Sequence, residues 1–155
     1  RNGTRETTMS DKLKGPEKIA QFVETLRTWQ GLERHALEVT SKVIQETDNA
    51  VIREVMEIIR NDSLQHHRVQ QFIIDSFTKE AVSLTPEELG KIWTAIEEHD
   101  KVEKKTIELA KQLREQLNFP VQRVLLDYLL ADEEKHDKLL EHLNEVKRGM
   151  TLATQ

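Results

Sequence analysis

Residues 51–67 read VIREVMEIIRNDSLQHH, and residues 121–137 read VQRVLLDYLLADEEKHD. The second stretch repeats the first at an offset of 70 residues, with Val, Arg, Asp and His recurring at 51/121, 53/123, 62/132 and 66/136. Upstream, the same offset places Glu33 on Glu103 without a gap, and apolar positions between the identities exchange like for like. The chain is therefore predicted to be a duplicated helical hairpin.

Apolar residues recur every three or four positions from residue 16 to residue 146, which predicts helix throughout and no strand. Pro16 and Pro86 suit first helical positions, where the missing N–H would have no partner anyway. The expected architecture is an all-α four-helix bundle made of two duplicated hairpins. Its predicted segments are a polar tail at 1–15, hairpin one at 16–77 and hairpin two at 86–148.

The composition restricts the class of protein and partner. With 155 residues, 33% of them charged, and a formal net charge of −5, the chain is predicted to be one domain of amphipathic helices. Basic residues are scattered among acids, so nucleic acid is not an expected partner. No apolar run approaches the roughly 20 residues that cross a bilayer, so no membrane partner is expected. The absence of cysteine excludes disulfides and thiolate ligands and indicates a cytoplasmic location.

Acidic residues and histidines interrupt the apolar stripes at related positions. Glu33 and Glu103 stand where the periodicity requires an apolar side chain. The second helix of each half is interrupted by acid–histidine runs, at Asp62 and His66 and again at Asp132, Glu133 and His136. An ionised carboxylate buried without a partner is costly, so these groups require hydrogen bonds or a cation. His99 stands one turn before Glu103, as an additional ligand, an orienting partner or a structural histidine.

The interruptions are predicted to lie at one level of the bundle. Glu33 lies about 15 residues before the turn at 48–49 and His66 about 17 residues after it, and each helical residue rises about 1.5 Å. The second half repeats these distances. Residues three or four apart share a helix face, so Glu133 or Asp132 could chelate a cation together with His136. Oxygen and imidazole ligands suit iron, manganese or zinc, and metal binding is the leading hypothesis.

Residues 130–136, Leu-Ala-Asp-Glu-Glu-Lys-His, resemble the last-helix Glu-x-x-His motif of rubrerythrin-like members of the ferritin-like superfamily. The run Ile-Glu-Glu-His at 96–99, followed by Glu103, resembles the third helix of that family. The resemblance covers residues 16–146 and implies a ferritin-like bundle that binds two irons, with ferroxidase- or peroxidase-type oxygen chemistry. Carried over by position, the implied ligands are Glu33, His66, Glu103, Glu133 and His136.

One position departs from the family pattern. The motif glutamate of the second helix falls on Ser63, and serine is a poor replacement for a bridging carboxylate. Either Asp62 takes its place from one residue earlier or the site has lost a ligand, and we retain Asp62 among the predicted metal ligands. The chain also lacks the cysteine-ligated iron domain of full rubrerythrins, so redox turnover would require an external electron donor.

Two questions stay open at the level of sequence. The function classes are a di-iron oxidoreductase, a non-catalytic metal-binding or helical interaction module with an incomplete site, and a helical scaffold without metal. The connection at 78–85 spans at most about 27 Å, less than the roughly 40 Å of a bundle helix. A ferritin-like crossover therefore requires the third helix to break near Gly90, which we favour. The alternatives are an up-down-up-down bundle and a homodimer that exchanges hairpins.

Overall fold

The computed structural model describes the backbone of residues 15–153 and the side chains of residues 15–149. The helices in this range are α1 (Pro16–Glu46), α2 (Ala50–Thr78), α3 (Pro86–Gln116) and α4 (Pro120–Ala153). No strand occurs among the described residues. The predicted all-α class is therefore confirmed, and this set of helices fits a four-helix bundle. Apart from Gly15, the predicted tail lies outside the described residues.

Side-chain caps determine where two of the helices begin. Thr85 Oγ1 accepts a hydrogen bond from the Glu88 N–H at 3.2 Å, and the Glu88 carboxylate accepts one from the Thr85 N–H at 2.9 Å. This reciprocal pair is a capping box, which satisfies N–H groups that the first turn of α3 leaves free. Asn49 caps α2, because its Oδ1 accepts from the N–H groups of Val51 and Ile52 at 3.0 and 3.1 Å.

Two helices differ from the predicted segments. α3 continues through Gly90 without a break, so the predicted break near this residue is wrong. The capping box starts α3 firmly, and the adjacent Leu89 is fully buried, which holds this turn in helical conformation. α4 continues to Ala153 instead of ending near residue 148. A single glycine at Gly149 weakens a helix without ending it.

The helices form two units that divide between Val82 and Ser83. One unit is hairpin one, in which α1 packs against α2, and the other is hairpin two, in which α3 packs against α4. In the part of the chain that is described, no helix combines the length and the apolar content needed to cross a bilayer. Each hairpin is considered by itself below.

Within each hairpin the contact between helices follows a narrow seam. The buried residues of α1 are Val23, Leu26, Gln30, Glu33 and Thr40, and those of α3 are Leu89, Glu103 and Ala110. The steps along α1 are three, four, three and seven residues, and those along α3 are multiples of seven. Such spacing keeps one side of a helix against its neighbour along its length. Glu33 and Glu103 are therefore turned inward by helical register alone.

The apolar core of hairpin one lies toward the open end of the hairpin. Val23, Leu26 and Ile74 form a buried cluster, and Ile19, Phe22 and Ile73 pack against it. Trp29, an apolar residue at helical spacing from Leu26, is 52% exposed, and the neighbouring Gln30 is buried instead. Gln30 Nε2 donates to Gln71 Oε1 at 3.0 Å, which satisfies the amide. The seam between two helices is narrower than a full apolar face, so residues at the edge of the predicted stripe stay outside it.

Candidate metal centre

Glu103 lies on the inner face of α3 and is 5% exposed. Ile96 and Ala110, one heptad before and after it, occupy the same seam, so regular helix places this carboxylate between α3 and α4. A buried carboxylate loses its hydration and must recover that free energy through hydrogen bonds, protonation or a cation. Glu103 is therefore the residue from which the centre is built.

Helix α4 supplies two metal-donor side chains opposite Glu103. Glu133 and His136 are three residues apart, which places them on one face of α4. One donor atom from each of the three residues lies within 4.8 Å of the other two. His136 Nδ1 is 3.5 Å from Glu103 Oε1 and 3.8 Å from Glu133 Oε2. The structure thus brings together three of the predicted ligands, and no other such trio converges among the described residues.

The two carboxylates of this trio have opposite pKa shifts. Contact with Glu103 raises the pKa of the Glu133 carboxyl, and burial raises it further. The same contact lowers the pKa of Glu103 against the effect of burial, and His99 and His136 also lower it. Two ionised carboxylates have no proton to donate, and Glu103 Oε2 is buried without a hydrogen-bond partner. A proton on Glu133 or a cation between the carboxylates is needed to satisfy this oxygen.

Asp132 lies beside the ring of His136 and not within the trio. Its Oδ2 is 3.7 Å from His136 Nε2, and its Oδ1 is 2.6 Å from the Lys135 ammonium. A carboxylate near one ring nitrogen orients an imidazole and favours a proton on that nitrogen, which leaves the other one free to bind a cation. The other nitrogen here is Nδ1, which faces the two glutamates. At 3.7 Å this carboxylate is beyond hydrogen-bonding distance of Nε2 and acts on His136 through its charge alone.

Hairpin one contains a smaller version of this arrangement. Glu33 is buried on the seam of α1, and His66 Nδ1 on α2 lies 3.3 Å from its Oε1. Asp62 is half-buried one turn before His66. Among the described residues, the donor atoms of Asp62, Glu33 and His66 do not all lie within 4.8 Å of one another, as those of the trio in hairpin two do. The structure thus pairs two of the ligands predicted for this hairpin and does not bring the third to them.

Ser63 accounts for the difference between the two hairpins. It is buried on the inner face of α2, at the position that corresponds to Glu133 in α4. A glutamate at 63 would extend toward Glu33 as Glu133 extends toward Glu103, whereas a hydroxymethyl group is too short to supply a second carboxylate. Hairpin two therefore offers three metal donors and hairpin one offers two. Carboxylate oxygens with imidazole suit iron, manganese or zinc.

A second acid pair in hairpin two was not predicted from the sequence. Contact with Asp100 raises the pKa of Asp137, and one oxygen of each aspartate is buried without a hydrogen-bond partner. The Lys104 ammonium, 2.6 Å from Asp100 Oδ2, lowers the pKa of Asp100. The available signal was the three-residue step from Asp100 to Glu103, which places two acids on one face of α3. Because Lys104 already supplies a positive charge and the pair does not form a convergent group of three donors among the described residues, it is a weaker candidate for a metal than the trio.

The trio of hairpin two satisfies the chemical requirements of a cation site. It combines a buried carboxylate with one oxygen that lacks a hydrogen-bond partner, a second carboxylate whose pKa is raised by the first, and an imidazole nitrogen that faces both. Comparison with known protein families, with curated proteins and with solved structures finds no match to this chain. The family resemblance therefore rests on the motifs at 96–103 and 130–136.

Proposed function

We propose that this protein binds a transition-metal ion, foremost iron, through Glu103, Glu133 and His136. The observation that carries the proposal is the buried Oε2 of Glu103, which has no hydrogen-bond partner beside a second carboxylate. Buried polar atoms without partners are rare in folded proteins and call for an explanation such as an ion. A cation between the two carboxylates satisfies this oxygen and removes the repulsion between them.

The donor set favours a transition metal over calcium or magnesium. Calcium and magnesium prefer oxygen ligands alone, whereas His136 turns an imidazole nitrogen toward both glutamates. Iron, manganese and zinc accept carboxylate and imidazole together. When bound, iron would supply a Lewis acid and a redox centre. The protein's part is to hold the two carboxylates close together and to keep Nδ1 of His136 beside them.

The wider proposal is a ferritin-like bundle in which Glu33 and His66 contribute a second half of the centre. It is supported by the internal duplication, since both residues lie 70 positions before Glu103 and His136, and by the short contact between them in hairpin one. Asp62 is the remaining candidate ligand of that half. A dinuclear iron centre of this kind would support ferroxidase- or peroxidase-type chemistry with an external electron donor.

The second candidate function is metal binding without turnover. The observation that favours it is the buried Ser63, which leaves hairpin one with a single carboxylate and a single histidine in contact. A centre with one complete half would hold one ion through hairpin two. Such a protein would bind or buffer the metal and would lack the pair of ions that two-electron oxygen chemistry uses.

Metal content per chain tests the proposal directly. Protein reconstituted anaerobically with Fe(II) and freed of excess metal is analysed for iron, alongside Glu103→Gln and the control Glu98→Gln on the exposed side of α3. We expect iron in the wild type and in the control and its loss in Glu103→Gln, because glutamine cannot supply an anionic ligand. Wild-type iron content in Glu103→Gln would refute the assigned site.

Exposing the reconstituted protein to oxygen separates the two candidate functions. Two irons per chain and saturable oxidation of added Fe(II) support the dinuclear enzyme, and Glu33→Gln should then lower both. One iron per chain, unaffected by Glu33→Gln and without saturable oxidation, supports the non-catalytic protein. Iron-free wild type with full helicity would exclude both functions and leave the helical scaffold.

A further inference from the structure

The two seam glutamates share a feature that the ligand assignment does not use. One helical turn before each of them stands a side chain with a ring N–H, Trp29 before Glu33 and His99 before Glu103. Trp29 Nε1 donates to Glu33 Oε1 at 3.1 Å, and His99 Nε2 lies 2.8 Å from Glu103 Oε1. The two donors are related by the same 70-residue offset as the glutamates themselves. Both halves therefore hold the same carboxylate oxygen from the same place on the helix.

This contact fixes the orientation of the carboxylate. A glutamate side chain in a helix retains freedom about its last torsion, which exchanges the two oxygens. A donor on Oε1 opposes that exchange, so in α3 the other oxygen, Oε2, stays inside and unpartnered. An ionised carboxylate only accepts hydrogen bonds, so His99 Nε2 is the nitrogen that carries the proton in this contact. His136 Nδ1 on α4 lies 3.5 Å from the same Oε1, so the oxygen that His99 holds is also the one nearest to the histidine of the centre.

We propose that His99 is a positioning residue for the metal centre, which orients Glu103 through an N–H donor and does not itself bind the metal. The inference rests on the proposed function of metal binding at Glu103, Glu133 and His136. Trp29, its counterpart, has an indole nitrogen that is only a donor and cannot bind a metal ion. The residues at positions 29 and 99 therefore share one property, a ring N–H that donates to the seam glutamate one turn later. His99 is also outside the convergent trio of donors in hairpin two.

The expected effect is on metal affinity and not on folding. Removing a partner that orients a metal ligand typically weakens metal binding about 10- to 100-fold. The His99 side chain is 61% exposed, so it can be replaced without opening a cavity in the seam. A substitution that retains an N–H donor should preserve affinity, and one that removes it should not.

Co(II) titration of the full-length protein tests this, with affinity and the visible d–d spectrum as readouts. The variants are His99→Leu, which has no donor, His99→Gln, which has an amide N–H, and His99→Trp, which copies hairpin one. We expect affinity to fall about tenfold or more in His99→Leu, to be largely restored in the other two, and the spectrum to keep the wild-type shape in His99→Gln. Far-ultraviolet circular dichroism controls for helicity.

The outcomes separate this inference from the proposed function. Wild-type affinity in His99→Leu would show that the contact does not position Glu103. Equal loss in all three variants, with a changed spectrum in His99→Gln, would make His99 a direct ligand and overturn the inference while keeping the metal site. If Glu103→Gln binds Co(II) as tightly as the wild type, the proposed function itself fails, whatever the variants at position 99 do.

Discussion

Replacing Glu133 by glutamine should stabilise the metal-free protein and abolish its metal binding. In the absence of metal, Glu133 and the buried Glu103 bring two carboxylates together, and the contact raises the pKa of Glu133. A glutamine amide has no charge, and its N–H can donate to the Glu103 oxygen that has no partner. The same change removes an anionic ligand. Opposite effects on stability and binding are expected where a protein retains a strained arrangement for its function.

The size of the effect follows from the separation of the charges. The donor oxygens of Glu103 and Glu133 lie within 4.8 Å of each other. At that upper limit of separation, two unit charges in an effective dielectric of about 20 repel by about 3.5 kcal/mol. The Glu133 side chain is 28% exposed, so water screens part of this repulsion. We therefore expect Glu133→Gln to raise the free energy of unfolding by about 1 to 2 kcal/mol above neutral pH.

The pH dependence has a definite sign. The pKa of folded Glu133 is raised above its ordinary value of 4.5, so the stability that protonated Glu133 contributes is complete below that value and is lost as pH rises through the raised pKa. The lowered pKa of Glu103 acts in the opposite sense, because its contribution is lost only as pH falls through that lower value. The advantage of Glu133→Gln should therefore grow as pH rises above the ordinary range of a glutamate and through the raised pKa of Glu133.

Urea unfolding followed by circular dichroism, with chelator present, measures this difference. Glu134→Gln is the matched control, since Glu134 is an exposed neighbour whose nearest cation, Lys111, is 4.0 Å away. The control should change stability by less than about 0.5 kcal/mol at any pH. If Glu133→Gln is no more stable than the wild type at alkaline pH, or if its gain is the same at acidic pH, the two carboxylates do not repel and the reasoning is wrong.

Three further predictions concern stability and can be measured by the same unfolding experiment. Asn49→Ala and Thr85→Ala each remove a side-chain cap and should lower the free energy of unfolding by about 1 kcal/mol; a loss below a few tenths would contradict the assigned caps. Ile74→Ala, at a residue that is 1% exposed, should cost about 2 to 5 kcal/mol, and a small loss would show that the core of hairpin one is loosely packed. Asp137→Asn should stabilise the protein increasingly as pH rises above the usual range of aspartate, because contact with Asp100 raises the pKa of Asp137; a gain independent of pH would contradict that contact.

The sequence predicted the helices well because their signals are local. Spacing of apolar residues, prolines at first helical positions and polar turns all act within a few residues of one another. The break near Gly90 was predicted for a different reason. The connection at 78–85 is shorter than a bundle helix, and a break there would have lengthened it enough for a ferritin-like crossover. The capping box at Thr85 and the burial of Leu89 act locally and keep α3 continuous. The assumed crossover topology was therefore a poorer guide to the course of α3 than the interactions within its own first turns.

The candidate site was predicted in part, for a related reason. Glu103, Glu133 and His136 could be placed together because helix register determines which residues share a face and the turn determines the level at which facing helices meet. The same rules gave Glu33 and His66 in hairpin one. They could not decide whether Asp62 replaces the glutamate missing at Ser63, since reach across a seam depends on the length and direction of individual side chains.

The sequence by itself determined that this protein is made of amphipathic helices whose apolar stripes are interrupted by acids and histidines, at positions 70 residues apart in the two halves. Only the tertiary structure decided which of those groups meet and which oxygen of Glu103 is left without a partner. It also showed that Trp29 and His99 each contact Oε1 of the seam glutamate one turn after them. The physical reason is the distance along the chain over which each kind of interaction acts. Periodicity acts along a helix within a few residues, whereas the pKa of a carboxylate and its ability to hold a cation depend on atoms a few ångströms away on another helix.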